Sequence, residues 1–267
     1  MAQAWLDAAG AERRWGTTRD PQKAEVLRAH SVEVFALEDG AALAAAWGAA
    51  SHALISTPPG PEGDPAFLAL GDLIRTPGPA WVGYLSTTGV YGDRAGGWVF
   101  EDDAPAPMSE RGRRRLAPEQ AWISTGLNVQ IFRLPGIYGP GRGPAEKLKA
   151  GKAQNIIKPG QVFSRAHRED IVSALLASMA RPNPGAVYNV CDDAPAPPQD
   201  VTNYAADLLG LPHPPDVAFE RAELSPMARE FYAESKRVSN ARLKAELGWR
   251  PRFPSYREGL AADLVAR

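Results

Sequence analysis

Short apolar runs alternate with amphipathic stretches along this chain, and turn residues separate almost every pair. Ala4, Trp5, Ala8 and Ala9 recur at helical intervals before Gly10, so the pattern predicts an opening helix over 2–9. Residues 14–19 read as a short strand running into Thr17, Thr18 and Arg19. Asp20-Pro21 then supplies an N-cap and a proline at the first helical position for a helix over 22–29. Val32, Val34 and Ala36 alternate with Glu33, Phe35 and Leu37, which predicts a strand over 32–37, followed by a helix over 41–46. The run 52–57 ends in Ser56 and Thr57 and is stopped by Pro58-Pro59-Gly60. Asp64-Pro65 restarts a helix whose Phe67, Leu68, Leu70 and Leu73 or Ile74 suit one buried face. A strand over 81–85 leads into Ser86-Thr87-Thr88-Gly89, a basic helix spans about 113–124, and a strand over 128–134 directs Val129, Ile131 and Phe132 inward.

Beyond Pro140 the pattern loosens. A helix over 171–179, a strand over 186–190 and helices near 199–209, 237–247 and 256–265 are expected there. Strands that alternate with helices imply right-handed βαβ units and a parallel sheet. The fold class is therefore α/β, a Rossmann-like doubly wound parallel sheet with a small C-terminal lobe. Residues 1–140 form the expected sheet region and 141–267 a mixed region that would hold substrate-binding elements.

Composition narrows the functional classes. Of 267 residues 44% are hydrophobic and 23% charged, which describes one large α/β domain or one with a smaller lobe. Lys+Arg 30 against Asp+Glu 31 leaves a net charge of -1, so the chain has no basic excess to attract nucleic acid or an acidic membrane. The alanine-rich run 41–50 is about half the roughly 20 residues a membrane-spanning helix needs, and Gly48 breaks it. Cys191 is the single cysteine, which excludes an intrachain disulfide and a multi-thiolate zinc site. Its neighbours Asp192 and Asp193 would raise its pKa, so it reads as inert. With no export signal at the N-terminus, the expected compartment is the cytoplasm.

Ligands of an open parallel sheet lie outside the carboxyl ends of its strands. Three successive strand ends carry Thr17-Thr18-Arg19, Ser56-Thr57 and Ser86-Thr87-Thr88, which offer small hydroxyls and backbone amides to a ligand lying across them. The plainer alternative is turn chemistry and helix capping. His167 and Asp170 read as helix-start caps in preference to a metal pair, and no metal is expected.

The segments Ser86-Thr87-Thr88-Gly89-Val90-Tyr91-Gly92-Asp93 and Phe132-Arg133-Leu134-Pro135-Gly136-Ile137-Tyr138-Gly139-Pro140-Gly141 carry a resemblance. It continues through Arg165-Ala166-His167-Arg168-Glu169-Asp170-Ile171 and Leu247-Gly248-Trp249-Arg250-Pro251. The chain resembles an extended short-chain dehydrogenase/reductase of the NAD(P)-dependent epimerase/dehydratase kind, over nearly its whole length. The resemblance implies NADP, or else NAD, as cofactor and a sugar-like or nucleotide-sugar alcohol or carbonyl as substrate. Arg19 would pair with the 2′-phosphate of NADP, or is simply a solvated arginine. Thr17, Thr18, Ser56, Thr57 and Ser86 would line the dinucleotide, and Pro135, Gly136 and Ile137 would form the loop beside the nicotinamide. Thr87 matches the family's catalytic Ser/Thr, and Tyr91 is the phenol that remains nearby.

Two departures qualify the resemblance. The family opens on a strand followed by a glycine-rich G-x-x-G-x-x-[GA] turn for the pyrophosphate. Gly10 and Gly16 do not form that spacing, and 2–9 resembles the helix that follows the turn. The expectation is therefore that the sequence begins after the family's first strand, through either a misplaced start codon or a real truncation, and that as written it binds cofactor poorly and has reduced stability. The second departure is catalytic. Where the family has Tyr-x-x-x-Lys this chain has Arg111 and Arg115. A guanidinium holds its proton near neutrality, so Arg111 cannot replace the tyrosine acid, while Arg115 could still donate to a ribose. These losses resemble the atypical subclass. They leave two functions open: an oxidoreductase or epimerase, or a non-catalytic dinucleotide-binding sensor or scaffold. The small-molecule partner follows from either; the oligomeric state stays open, a homodimer included.

Overall fold

A computed structural model describes residues 2–265. In chain order its elements are α1 (Ala2–Ala8), β1 (Trp15–Thr17), α2 (Pro21–Ala29), β2 (Glu33–Phe35), α3 (Gly40–Ala49), β3 (His52–Ile55), α4 (Pro65–Leu70), β4 (Trp81–Thr87), β5 (Trp98–Val99), α5 (Glu110–Ile123), β6 (Val129–Leu134) and β7 (Gly136–Tyr138). They continue with α6 (Ala145–Lys149), β8 (Asn155–Ile157), β9 (Arg165–His167), α7 (Arg168–Ala180), β10 (Val187–Asn189), α8 (Pro198–Leu209), β11 (Asp216–Ala218), α9 (Pro226–Ala233), β12 (Arg237–Val238), α10 (Ala241–Leu247) and α11 (Tyr256–Leu264). The chain divides into two compact units that interleave in sequence. The first comprises Met1–Ser86, Arg113–Phe132 and Leu175–Val187; the second comprises Thr87–Gly112, Arg133–Ala174 and Tyr188–Arg267.

The helix starts follow from their caps. Asp20 accepts from the amides of Gln22 and Lys23 ahead of α2, and Pro21 occupies a position whose N–H has no intrahelical partner. Asp64 does the same for α4 through the Ala66 amide, and its second carboxylate oxygen accepts from the Trp122 indole at 2.7 Å. One buried aspartate thus caps a helix and ties it to α5.

The strands of the first unit take part in two sheets. β1 pairs with β2 in register Trp15↔Glu33 to Thr17↔Phe35, and a separate sheet has the order β10-β6-β4-β3. Every residue of β6 is buried and all but Thr87 of β4, whereas β1 and three of the four residues of β3 are only half-buried. One face of the larger sheet carries Val82, Tyr84, Val129 and Ile131, packed with Leu43, Trp47 and Leu70. The other face carries Trp81, whose ring stacks on Trp5 of α1 with centroids 6.1 Å apart. Trp81 also donates from its indole to Ser178 at 2.9 Å. Residues of both β1 and β3 border a cavity of about 650 Å³.

In the second unit, Tyr138, Leu148, Ala205, Ala206, Tyr256 and Leu260 form a second core. Here local pattern and tertiary pairing diverge. Arg237 and Val238, expected within a helix over 237–247, form β12 instead. Their ladder with β5 carries the Arg237 amide to the Gly97 carbonyl and the Ser239 amide to that of Val99, and the helix begins only after Asn240. Gly136 and Ile137, expected in a loop, pair in parallel with Arg165 and Ala166 as β7 and β9. Among the described residues no helix is long and apolar enough to cross a membrane.

Gly83 lies under the Trp81 ring, and a Cβ there would fall on the ring. Gly83→Ala should therefore lower stability by about 1–3 kcal/mol in urea denaturation, the cost of overpacking a buried site.

Candidate functional site

At the carboxyl ends of the first unit's strands, Thr17, Ser56 and Thr57 border the same cavity. Parallel pairing of β3 with β4, Ile55 opposite Tyr84, brings Ser56-Thr57 and Leu85-Ser86 out at one end of the sheet. The hydroxyls differ in their freedom. Thr57 donates to the Asp64 carboxylate at 3.2 Å, and Thr18 accepts from the Asp20 amide at 3.2 Å, so both are partly committed to turns. Ser86 is buried and donates to the Glu119 carboxylate. Ser56 and Arg19 are exposed. Arg115 of α5 is half-buried, and one of its guanidinium nitrogens donates to the Leu85 carbonyl at 2.6 Å, which anchors it at the end of β4. Arg111 is exposed.

The second unit holds the rest. Thr87 caps the short turn Thr88–Tyr91, and its hydroxyl oxygen accepts from the Gly89 amide at 3.1 Å. It is half-buried, and the hydroxyl proton is still available to donate. Tyr91 is fully buried. Its hydroxyl donates to Asn189 at 2.8 Å and the Arg133 guanidinium lies 4.8 Å from its ring centre. Burial pushes its pKa up to about 12, against an opposing pull from Arg133. A phenol so held keeps its proton through the neutral range. Pro135, Gly136 and Ile137 are half-buried at the end of β6 and in β7.

His167 is fully buried and accepts from the Glu169 amide at the start of α7, the cap expected of it. Asp170 accepts from the amides of Arg252 and Phe253 at 2.6 and 3.2 Å and so fastens the segment leading to α11. Among the described residues no three His, Cys, Asp or Glu side chains gather as metal ligands. Cys191 is buried, and desolvation first, then Asp192, raises its thiol pKa.

Sequence reasoning passed over a polar network in this unit. The Glu101 carboxylate accepts from the Asn189 amide at 2.9 Å, and the Asn189 side chain donates to the Ser239 carbonyl at 3.1 Å. Arg165 is half-buried and donates to the carbonyls of Phe163 and Ala196 at 2.9 and 3.1 Å. Near the end of β10, Asp192 is buried and its pKa rises to about 8, mainly through desolvation, with the Ala194 amide and Arg165 opposing. Scattered single polar residues in apolar segments were the available signal, and they carry no spacing that marks them as a set.

Folded Asp192 keeps its proton up to about pH 8 while the unfolded chain releases it near 3.8. The folded state then binds more protons through that window, so this group's stabilisation fades as pH rises from about 4 to about 8. Asp192→Asn should remove that dependence. Its melting temperature relative to wild type should rise by at least about 2 °C between the two ends of the window, read by thermal denaturation.

No family model matches the chain. A solved structure of a functionally unknown conserved protein from Silicibacter pomeroyi is 50% identical, with a TM-score of 0.88, covering 99% of this chain and 94% of that one. Protein YeeZ of Escherichia coli K12 is 34% identical over 175 residues, 64% of this chain and 58% of its own. GDP-6-deoxy-D-mannose reductase of Pseudomonas aeruginosa is 28% identical over 202 residues, 68% of this chain and 64% of its own. The chain thus spans less than two thirds of the length of these curated relatives. A dTDP-glucose 4,6-dehydratase from Bacillus anthracis and a UDP-glucose 4-epimerase from Thermotoga maritima, each 16% identical with TM-scores of 0.78 and 0.80, share the Rossmann fold.

Proposed function

We propose, for a chain that belongs to the NAD(P)-dependent epimerase, dehydratase and reductase family of Rossmann-fold proteins, a dinucleotide-dependent activity on a sugar-like or nucleotide-sugar alcohol or carbonyl. The observation that carries this reading is the sharing of one cavity by the strand-end residues Thr17, Ser56 and Thr57. Relatives of this fold have been solved in complex with NADPH and with NAD. The residues fit such a ligand along the strand ends, where hydroxyls and backbone amides meet its polar groups; residues 2–14 offer no glycine-rich turn for its pyrophosphate.

When bound, the dinucleotide supplies or accepts the hydride. Exposed Arg19, just past β1, would pair with a 2′-phosphate and so select NADP over NAD. Thr17, Thr18, Ser56, Thr57 and Ser86 would orient the dinucleotide. Pro135, Gly136 and Ile137 would border its nicotinamide. Thr87 has a hydroxyl proton to direct at a substrate oxygen. Arg115 keeps further N–H donors beyond the one spent on Leu85, and these could hold a ribose hydroxyl. In this division residues 1–140 serve the cofactor and 141–267 the substrate.

A second reading, a dinucleotide-binding sensor or scaffold, is favoured by one specific observation: Arg111 and Arg115 stand in the Tyr-x-x-x-Lys positions, and Tyr91 is buried against Asn189. The two separate experimentally. With NADPH and a panel of aldehydes, ketones and nucleotide sugars, an enzyme oxidises the cofactor; saturable binding with no turnover identifies the sensor.

Arg19→Ala should weaken NADPH about tenfold while leaving NADH little changed, measured by cofactor fluorescence titration. Where turnover is found, Thr87→Ala should lower kcat about a hundredfold with the melting temperature nearly unchanged.

A further inference from the structure

Arg165 of the second unit carries a charge for which its surroundings supply no counter-ion. Its backbone is firmly held: β9 pairs with β7, and the Asp192 amide donates to the Arg165 carbonyl at 2.7 Å. Phe163 and Ala196 form an antiparallel bridge beside it, and Nη1 of the guanidinium donates to both of their carbonyls, at 2.9 and 3.1 Å. Those two bonds use both Nη1 protons. The Nε proton and the two on Nη2, the edge that meets an oxyanion side-on, have no partner among the described residues.

Asp192 and the phenols of Tyr138, Tyr232 and Tyr256 face this guanidinium, whose pKa burial lowers. Asp192 is the one carboxyl among them, yet no ion pair joins it to Arg165. It is buried, its Oδ1 accepts from the Ala194 amide at 3.2 Å, and its Oδ2 is enclosed without a hydrogen-bond partner. Desolvation, with Asp193 and Asp170 adding to it, outweighs the Ala194 amide and Arg165 and raises its pKa to about 8; Tyr138 of β7 also faces it. Asp192 therefore holds its proton near neutrality and offers no negative charge. A guanidinium withdrawn from water is costly unless an anion accompanies it. Cations on neighbouring segments are already engaged: Lys158 donates to the Tyr232 carbonyl, and Lys236 pairs with Glu234 at 2.5 Å.

We propose that Arg165 is an anion-binding residue that takes the carboxylate of a sugar acid carrying no nucleotide. This rests on the sugar-like substrate proposed above and assigns that substrate its charge. One guanidinium edge matches one singly charged carboxylate in bidentate fashion. A nucleoside diphosphate spreads several charges over a longer group, and with Lys158 and Lys236 engaged, Arg165 would meet them alone. While protonated, the Asp192 carboxyl adds a second donor at Oδ2. Once ionised it competes for Arg165 and repels the ligand, so affinity falls as pH rises through about 8.

The test follows the Arg165 Nε–H signal by NMR in the whole chain, titrated separately with glucuronate, glucose, glucose 6-phosphate and UDP-glucose. No dinucleotide is added, so a chain that never oxidises NADPH can still bear the proposal out, and an active enzyme can still refute it. Near neutral pH, glucuronate should shift the signal saturably and glucose should not; the two phosphate compounds should bind at least about tenfold more weakly than glucuronate. Raising the pH from about 7 to about 9 should weaken glucuronate at least about fivefold. Asp192→Asn, which keeps a donor but cannot ionise, should hold the neutral-pH affinity within about threefold and lose that pH dependence, a change that a purely structural Asp192 would not produce. Arg165→Gln should abolish saturable shifts at the Asp192 and Ala194 amides; should that variant fail to fold, the comparison of wild type with Asp192→Asn still decides. The proposal is overturned if glucuronate gives no saturable shift, if glucose 6-phosphate or UDP-glucose binds as tightly, or if Asp192→Asn retains the pH dependence.

Discussion

Every interior strand of a parallel sheet has two edges of backbone donors and acceptors to satisfy, and the architecture of the first unit turns on how that requirement is met. β4 and β6 are paired on both sides and almost wholly buried. Among the described residues β1 pairs with β2 and β3 with β4, and residues of β1 and β3 border a cavity that apolar side chains also line. The side chains agree with the ladders: burial falls from complete in β6 to half in β1. An unpaired buried peptide group costs about as much as a lost hydrogen bond, so the ladders that pair these strands bear directly on the stability of the sheet.

That same sheet sets the candidate site. Parallel strands joined by helices bring their carboxyl ends to one side, and small hydroxyl residues gather there although they are far apart in sequence. Caps compete with ligands for those hydroxyls. Thr57 serves Asp64, Thr18 serves Asp20 and Ser86 serves Glu119, while Ser56 remains exposed. The turn-chemistry reading and the ligand reading thus describe different members of one rim.

The second unit spends its buried polar groups on structure. Tyr91, Asn189, Glu101 and Arg133 share hydrogen bonds and a cation–π contact, and Asp192 lies in surroundings that favour its neutral form. Such groups are expensive to desolvate and tolerable only when partnered or uncharged. Arg111 and Arg115 occupy the positions that match Tyr-x-x-x-Lys, and Tyr91 is enclosed against Asn189.

Local signals in the sequence determined the first unit's elements and their order. Asp20-Pro21 and Asp64-Pro65 fix helix starts through side-chain caps, and apolar alternation marks β2, β4 and β6, because these effects act within a few residues. The strand-end hydroxyls were legible for the same reason. Only tertiary structure decided that Arg237 and Val238 pair as a strand, that Gly136 and Ile137 join β9, and that Trp15, Thr17, His52 and Leu54 face an apolar cavity. Pairing and burial depend on groups tens to hundreds of residues apart, which no local propensity records.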